Sequence, residues 1–203
     1  IVDKELSEYD AVIATGSDNT SRYFDYYFGK YPNIIRHNRN SVAVLSGNES
    51  PEELVNLGDD IFQYFGLGCR NVSKIYVPRD YDFDKLFKAL YDFKDLTNNQ
   101  RYMNNFDYNK AVFLMSQSKN MLENGFVLLK EDRNFSSPIA TVFYEFYDSQ
   151  EELHEHLDQN KDRIQCVVGG ETSPYINFGL AQKPGLEDYA DGIDTINFLK
   201  NLS

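Results

Sequence analysis

The sequence contains two cysteines, and they stand in unlike surroundings. Cys69 falls in the run Gly66-Leu67-Gly68-Cys69-Arg70, directly after a well-marked helical segment, whereas Cys166 is enclosed by apolar neighbours in Ile164-Gln165-Cys166-Val167-Val168-Gly169. A thiol nucleophile needs an approach path for its substrate and donors for the oxyanion that forms on attack. A backbone bordered by glycine can supply exposed N–H groups without side-chain obstruction. Arg70 would favour the thiolate wherever its guanidinium reached the sulfur, although adjacent side chains often point apart. The competing reading is a small hydrophobe in a turn, since free cysteine is among the most buried residue types. Residue pattern alone leaves both readings open, and neither requires a neighbouring histidine.

The remaining polar residues offer weaker chemistry. His37 lies in Ile34-Ile35-Arg36-His37-Asn38-Arg39-Asn40 and reads as a solvated loop histidine. His154 and His156 are two apart on an expected helix, so they project from different faces and do not make a metal site. The acidic run Asp188 to Thr195 lacks the ligand spacing of a calcium loop and reads as a structural turn. No metal is expected.

The elements that must position Cys69 are legible on both sides of it. Residues Ala11–Ala14 form a short β-like run that breaks at Gly16 and Ser17 into a helix carrying Tyr23, Phe24 and Tyr27, a unit that suggests earlier units before it. A second strand is expected at 40–47. The segment 50–66 has Ser50 as N-cap, Pro51 at the first helical position and Glu53 completing a capping box, with Leu54, Leu57, Ile61 and Phe65 on one face. Further strands are expected at 72–78, 125–129, 140–147 and 163–169, and helices at 82–93, 104–118 and 148–159, the last capped by Ser149 and Glu152. Strands alternating with helices imply an α/β fold with a mostly parallel sheet covered by helices on both faces. The tail from Glu171 mixes Pro and Gly turns with aromatic residues and is expected to dock as an ordered extension.

Composition restricts the partners. With 203 residues, 41% of them hydrophobic and 15% aromatic, the chain can build one sizeable domain or two small ones. Its 32 acidic and 20 basic residues give a net charge of -12, which would repel a phosphate backbone, so no nucleic acid partner is expected. No apolar run approaches the roughly 20 residues needed to span a bilayer, and the first residues lack a secretory signal. The expectation is a cytoplasmic protein without a membrane span, in which two distant cysteines stay reduced.

At these residues the sequence resembles the aldehyde dehydrogenase superfamily, and within it the LuxC-like acyl-CoA reductases. Ala14-Thr15-Gly16-Ser17-Asp18-Asn19-Thr20 is similar to the family's Thr-Gly-Ser turn, where the cofactor domain ends and a helix start faces the dinucleotide phosphates. Residues 40–47, the capped helix and 65–78 follow with the family's spacing to its catalytic cysteine, which corresponds to Cys69. Residues 178–199 resemble the C-terminal signature of acyl-CoA reductases. The resemblance implies an aldehyde-dehydrogenase-like catalytic domain at 18–203, with 1–17 as the end of the cofactor-binding domain. It implies NADPH or NADH as cofactor, Gly16, Ser17 and Asn134 as cofactor-binding positions, and acyl-CoA or another acyl thioester as substrate. Self-association into a homo-oligomer is left open. Where hydrolytic members carry a Glu that activates water, this chain has Ile34–Asn40 with no carboxylate, which fits reduction of a thioacyl-enzyme rather than its hydrolysis. The position of the family's cofactor-contacting Glu corresponds to Asn134. A CoA-acylating aldehyde dehydrogenase and a non-catalytic interaction module on the same scaffold are the alternatives.

Overall fold

Parallel strands joined by capped helices build most of this molecule, seen here in a computed structural model that describes residues 8–116 and 120–202. By contacts within the chain, the residues up to Asn38 join those from Gly185 onward in one compact unit, and Arg39–Pro184 form another.

In the first unit, β1 (Val12–Thr15) and β2 (Asn33–Arg36) pair in parallel from Val12 opposite Asn33 to Thr15 opposite Arg36. They are connected by α1 (Asp18–Phe28), whose N-cap Ser17 accepts the Thr20 N–H. Gly16 is required by close approach, because a Cβ there would stand 2.9 Å from the Thr20 side chain. Strand β2 is not legible in the sequence: Ile34 and Ile35 are its only apolar residues, too few for a period to show.

The second unit holds a seven-stranded sheet. In chain order its strands are β3 (Asn40–Val44), β4 (Val72–Pro78), β5 (Met121–Glu123), β6 (Leu128–Glu131), β7 (Thr141–Tyr147), β8 (Ile164–Gly169) and β9 (Ile176–Asn177). Their spatial order is β5-β6-β7-β4-β3-β8-β9, parallel throughout except for β5. Period-2 alternation sends Ile75 and Val77 of β4 to one face and Tyr76 to the other. The first face is covered by α2 (Pro51–Phe62), α3 (Phe83–Leu90) and α4 (Gln100–Met115), through Leu54, Leu57, Leu86, Leu90 and Phe106. The second is covered by α5 (Gln150–Gln159), where Leu153 and Leu157 meet Val42, Tyr76 and Ile164. The α/β class and the two-faced parallel sheet are as expected.

Several boundaries differ from the sequence reading: the strand expected at 40–47 ends at Val44, the helix expected at 82–93 ends at Leu90, and the expected end of the helix at 104–118 lies outside the described residues. Helix α2 ends at Phe62, so Phe65 leaves the apolar face, and Phe62 is the aromatic residue buried there. The strand expected at 125–129 is shifted toward 128–131, because Asn124 and Gly125 form the turn of a hairpin with β5. The Asn124 carboxamide accepts from the Phe126 and Val127 N–H groups, and Gly125 has φ +95°. Helix α4 starts four residues early at an Asn99 cap, which accepts the Tyr102 N–H. Lys74, polar in the middle of β4, is fully buried; its Nζ donates to the Arg133 carbonyl at 3.0 Å and to Glu145 at 2.5 Å, over the rings of Tyr76 and Phe135.

The packing ranks the contributions to stability. Leu57 is wholly enclosed in the larger core, so Leu57→Ala should lower the free energy of unfolding by about 3 kcal/mol. Losing the Ser50 cap through Ser50→Ala should cost about 1 kcal/mol. Urea unfolding of the two variants checks the order, and equal losses would contradict it.

Candidate active-site loop around Cys69

Cys69 lies between the end of α2 and the first residue of β4, at the amino edge of the parallel sheet. The chain gets there through an uncommon turn. Tyr64, Phe65 and Gly66 have φ of 55°, 59° and 73°, three successive residues in the left-handed region that only glycine visits freely. Such a run persists only where surrounding bonds over-determine it. Here they come from one buried side chain, Asn71. Its Nδ2 donates to the carbonyls of Asp60 at 3.0 Å, Ile61 at 3.3 Å and Gln63 at 2.8 Å, which are orphan acceptors at the end of α2. Its Oδ1 accepts the Gly68 N–H at 2.8 Å, and its own N–H donates to the Gly68 carbonyl at 3.0 Å. A Cβ on Gly68 would stand 3.0 Å from that Oδ1, so the glycine before the cysteine is what lets the clamp close.

A second set of bonds holds the loop to its neighbours. The buried carboxylate of Asp60 accepts the N–H groups of Gly179 at 2.7 Å and Ala181 at 2.9 Å, and Arg70 Nε donates to the Ala181 carbonyl. Arg70 is thus anchored to the segment after β9 and is not paired with the sulfur beside it in sequence. Burial raises the Asp60 carboxyl to about 6, against the opposing effect of the two N–H bonds. Ser41 Oγ donates to the Cys69 carbonyl at 3.0 Å and lies 3.1 Å from Cys166 Sγ. A carbonyl can only accept, so the single Ser41 proton is committed to Cys69, and Cys166 must be the donor to Ser41. That requires a neutral Cys166 thiol, in keeping with burial, which pushes its pKa up.

The two cysteines therefore differ in access as the sequence suggested: Cys69 is exposed and Cys166 is buried. Tyr64 and Leu67, 63% and 67% exposed, stand beside Cys69 in the chain. Among the described residues no acceptor is paired with the Cys69 N–H, which leaves it available to a substrate oxygen. Asn134 sits in an exposed turn where both its backbone and side-chain nitrogens donate to Asp132 Oδ1 at 2.9 Å; the next residue, Phe135, accepts from Ser73 of β4 at 2.6 Å. Gly16 and Ser17 belong to the other unit. Gly16 is half-buried and Ser17 exposed at the start of the 11-residue helix α1, where Ser17 Oγ accepts the Thr20 N–H. His37 and His154 are exposed, His156 is half-buried against Phe135 and Tyr76, and no metal-ligand cluster exists among the described residues.

Sequence reasoning singled out Cys69 but not Asn71, Asp60 or Ser41. A polar residue directly before an apolar strand is a turn signal for Asn71. Nothing in the pattern shows that Asp60 and Ser41 are buried, or that one hydroxyl joins Cys69 to Cys166.

The arrangement is that of an aldehyde-dehydrogenase-like fold. No family model matches the sequence, and no curated protein matches it. Solved structures do. An oxidoreductase from Marinobacter aquaeolei is 12% identical with a TM-score of 0.60, over 84% of this chain and 42% of that one. Staphylococcus aureus AldH in a substrate-bound state is 14% identical with a TM-score of 0.58, over 96% and 44%. P. syringae AldA, an indole-3-acetaldehyde dehydrogenase in complex with NAD+, is 11% identical with a TM-score of 0.57, over 81% and 41%. The chain spans less than half the length of these structures.

Two measurements test the loop. In the native protein, iodoacetamide should modify Cys69 at least about ten-fold faster than Cys166, read by peptide mass spectrometry; equal rates would contradict the burial difference. For Asp60, the folded form keeps its proton up to about 6 while the unfolded form loses it near 3.8, so its contribution to stability falls as pH rises between those values. The stability difference between wild type and Asp60→Asn, from urea unfolding at pH 4 and pH 7, should therefore shift in favour of the variant at the higher pH.

Proposed function

We propose that this chain is the catalytic portion of an acyl-CoA reductase, an NAD(P)H-dependent enzyme that converts an acyl thioester to an aldehyde through a thioacyl group on Cys69. The observation that carries the reading is an exposed thiol with an unpaired backbone N–H, held at the amino edge of β4 by Asn71 and Ser41 in an aldehyde-dehydrogenase-like fold. In this reading residues 18–203 are the cysteine-bearing domain and 1–17 the end of the cofactor domain. Gly16 and Ser17 offer the start of α1 to the cofactor phosphates, and Asn134 is a further cofactor position.

In the first half-reaction the Cys69 thiolate attacks the thioester carbonyl carbon and a C–S bond forms. The developing oxyanion is received by the Cys69 N–H, which the Asn71 clamp and the Ser41 bond to the Cys69 carbonyl hold in place. The bond to the CoA sulfur breaks, and CoA leaves as a thiolate that takes a proton from water; a good leaving group needs no strong general acid. A nicotinamide cofactor, when bound, supplies the hydride that reduces the thioacyl carbon. The resulting oxygen takes a proton to give a thiohemiacetal; on collapse the hydroxyl proton passes to water, the C–S bond breaks, and the aldehyde is released with Cys69 returned as a thiolate. The absence of a carboxylate in Ile34–Asn40, where His37 is exposed, supports reduction rather than hydrolysis.

Incubation with short-, medium- and long-chain acyl-CoA in separate samples, followed by mass spectrometry, should show a hydroxylamine-labile acyl adduct on Cys69 that persists without reduced cofactor. Cys69→Ala should remove it, and Cys166→Ala should leave it in place. An adduct on Cys166, or none with any chain length, would overturn the assignment.

A further inference from the structure

The carboxyl edge of the same sheet, at the opposite end of the strands from Cys69, carries a concavity. In an open parallel sheet a crevice forms where two neighbouring strands send their outgoing chains in opposite directions. Strands β3 and β8 are such neighbours. From β3 the chain passes through α2 to β4 on one side, and from β8 it passes to β9 on the other. A crevice of about 490 Å3 lies beyond their ends, walled by the turn after β3, the start of α5 and the turn after β8. That volume suits a small organic molecule.

The lining selects the charge of the occupant. Two carboxylates, Glu49 and Glu151, line the crevice, and no lysine or arginine does. Glu49 is fixed in place by Ser46 Oγ at 2.8 Å and the Gly47 N–H at 3.1 Å. Glu151 is held below the usual carboxylate range by its own backbone amide and by Ser149 Oγ at 3.0 Å, so it is charged at neutral pH. Two tyrosines complete the aromatic wall. Tyr147 is pinned by a 2.8 Å bond from its hydroxyl to the Leu45 carbonyl, and Tyr175 is half-buried in the turn after β8. Val44, Leu153 and Pro174 supply apolar surface. An ammonium group gains from carboxylates and from tyrosine faces together, whereas a phosphate or carboxylate ligand would be repelled by Glu49 and Glu151, with His154 the one lining side chain that can carry positive charge. Another cleft of this unit, at Arg79, Lys130 and Arg133, mixes cations with acids, whereas the cleft that adjoins the crevice through Ser46, Glu49, Gly170 and Thr172 is also lined by acids without a lysine or arginine.

We propose that this crevice is a binding site for a small organic cation, an amine carried on an apolar or aromatic body, separate from the Cys69 loop. Its occupant is held by Glu49 and Glu151 at the ammonium end and by Tyr147 and Tyr175 along the body. The site owes nothing to thioester chemistry, so its test is independent of the function proposed for Cys69.

The experiment is an amide NMR titration of the full chain with phenethylamine, and in parallel with 2-phenylethanol, its neutral counterpart. The amine should produce saturable shifts at Leu153, Gly170 and Thr172, and the alcohol should bind at least about five-fold more weakly. Glu151→Gln, an exposed change that leaves the fold intact by circular dichroism, should weaken amine binding about two- to five-fold. Tyr175→Ala should weaken both probes. Equal binding of amine and alcohol, shifts dispersed over acidic surface away from residues 170–175, or an affinity untouched by Glu151→Gln would each overturn the proposal.

Discussion

The carboxamide of Asn71 is the interaction on which the candidate site depends. It replaces, with one side chain, the helix turn that α2 fails to make after Phe62. Three carbonyls at the end of a buried helix would otherwise lack partners, each at the cost of desolvating an unpaired acceptor. Because the same side chain also takes the Gly68 N–H, closing the helix and setting the conformation ahead of the cysteine are a single event. The left-handed run from Tyr64 to Gly66 is the geometric consequence, turning the chain sharply enough to bring Cys69 to the surface.

Around that clamp the polar groups form a graded environment. Ser41, on the neighbouring strand, ties the Cys69 carbonyl to the sheet and in doing so fixes Cys166 as a neutral donor. Asp60 is a buried carboxyl whose two N–H bonds only partly offset the cost of leaving water, and those bonds tie the 179–181 segment against α2. One thiol is thereby left open to solvent and the other is locked beneath it as a packing element. The difference in chemistry between two identical side chains comes entirely from their surroundings.

The parallel sheet gives its two edges different characters. At its amino edge the loop before β4 presents an exposed thiol and a free N–H. At its carboxyl edge the diverging exits of β3 and β8 leave an acidic, tyrosine-walled crevice. Lys74 lies between these edges, buried on β4, with Glu145 and two aromatic rings in place of water; burial lowers its pKa while Glu145 raises it. Charge inside this domain is tolerated where a partner and a ring face are both at hand.

The α/β class, the capped start of α2 and the strand at Val72–Pro78 were legible in the sequence alone, and the glycines before Cys69 against the apolar run around Cys166 pointed to a contrast that the structure then decided. Each of these is a local property, written in a capping box, an apolar run or a glycine at fixed spacing. Where α2 stops was decided by tertiary structure, because Asn71 competes for the carbonyls that another helical turn would have used. The pairing of β1 with β2, the partnership of Ser41 with both cysteines, and the burial of Asp60 and Lys74 were decided there too. These contacts join residues up to 125 positions apart, as Ser41 and Cys166 are. No local period can encode such a distance: a polar residue is marked as polar in the sequence, but its partner, and hence its protonation and its role, is fixed only when the strands come together.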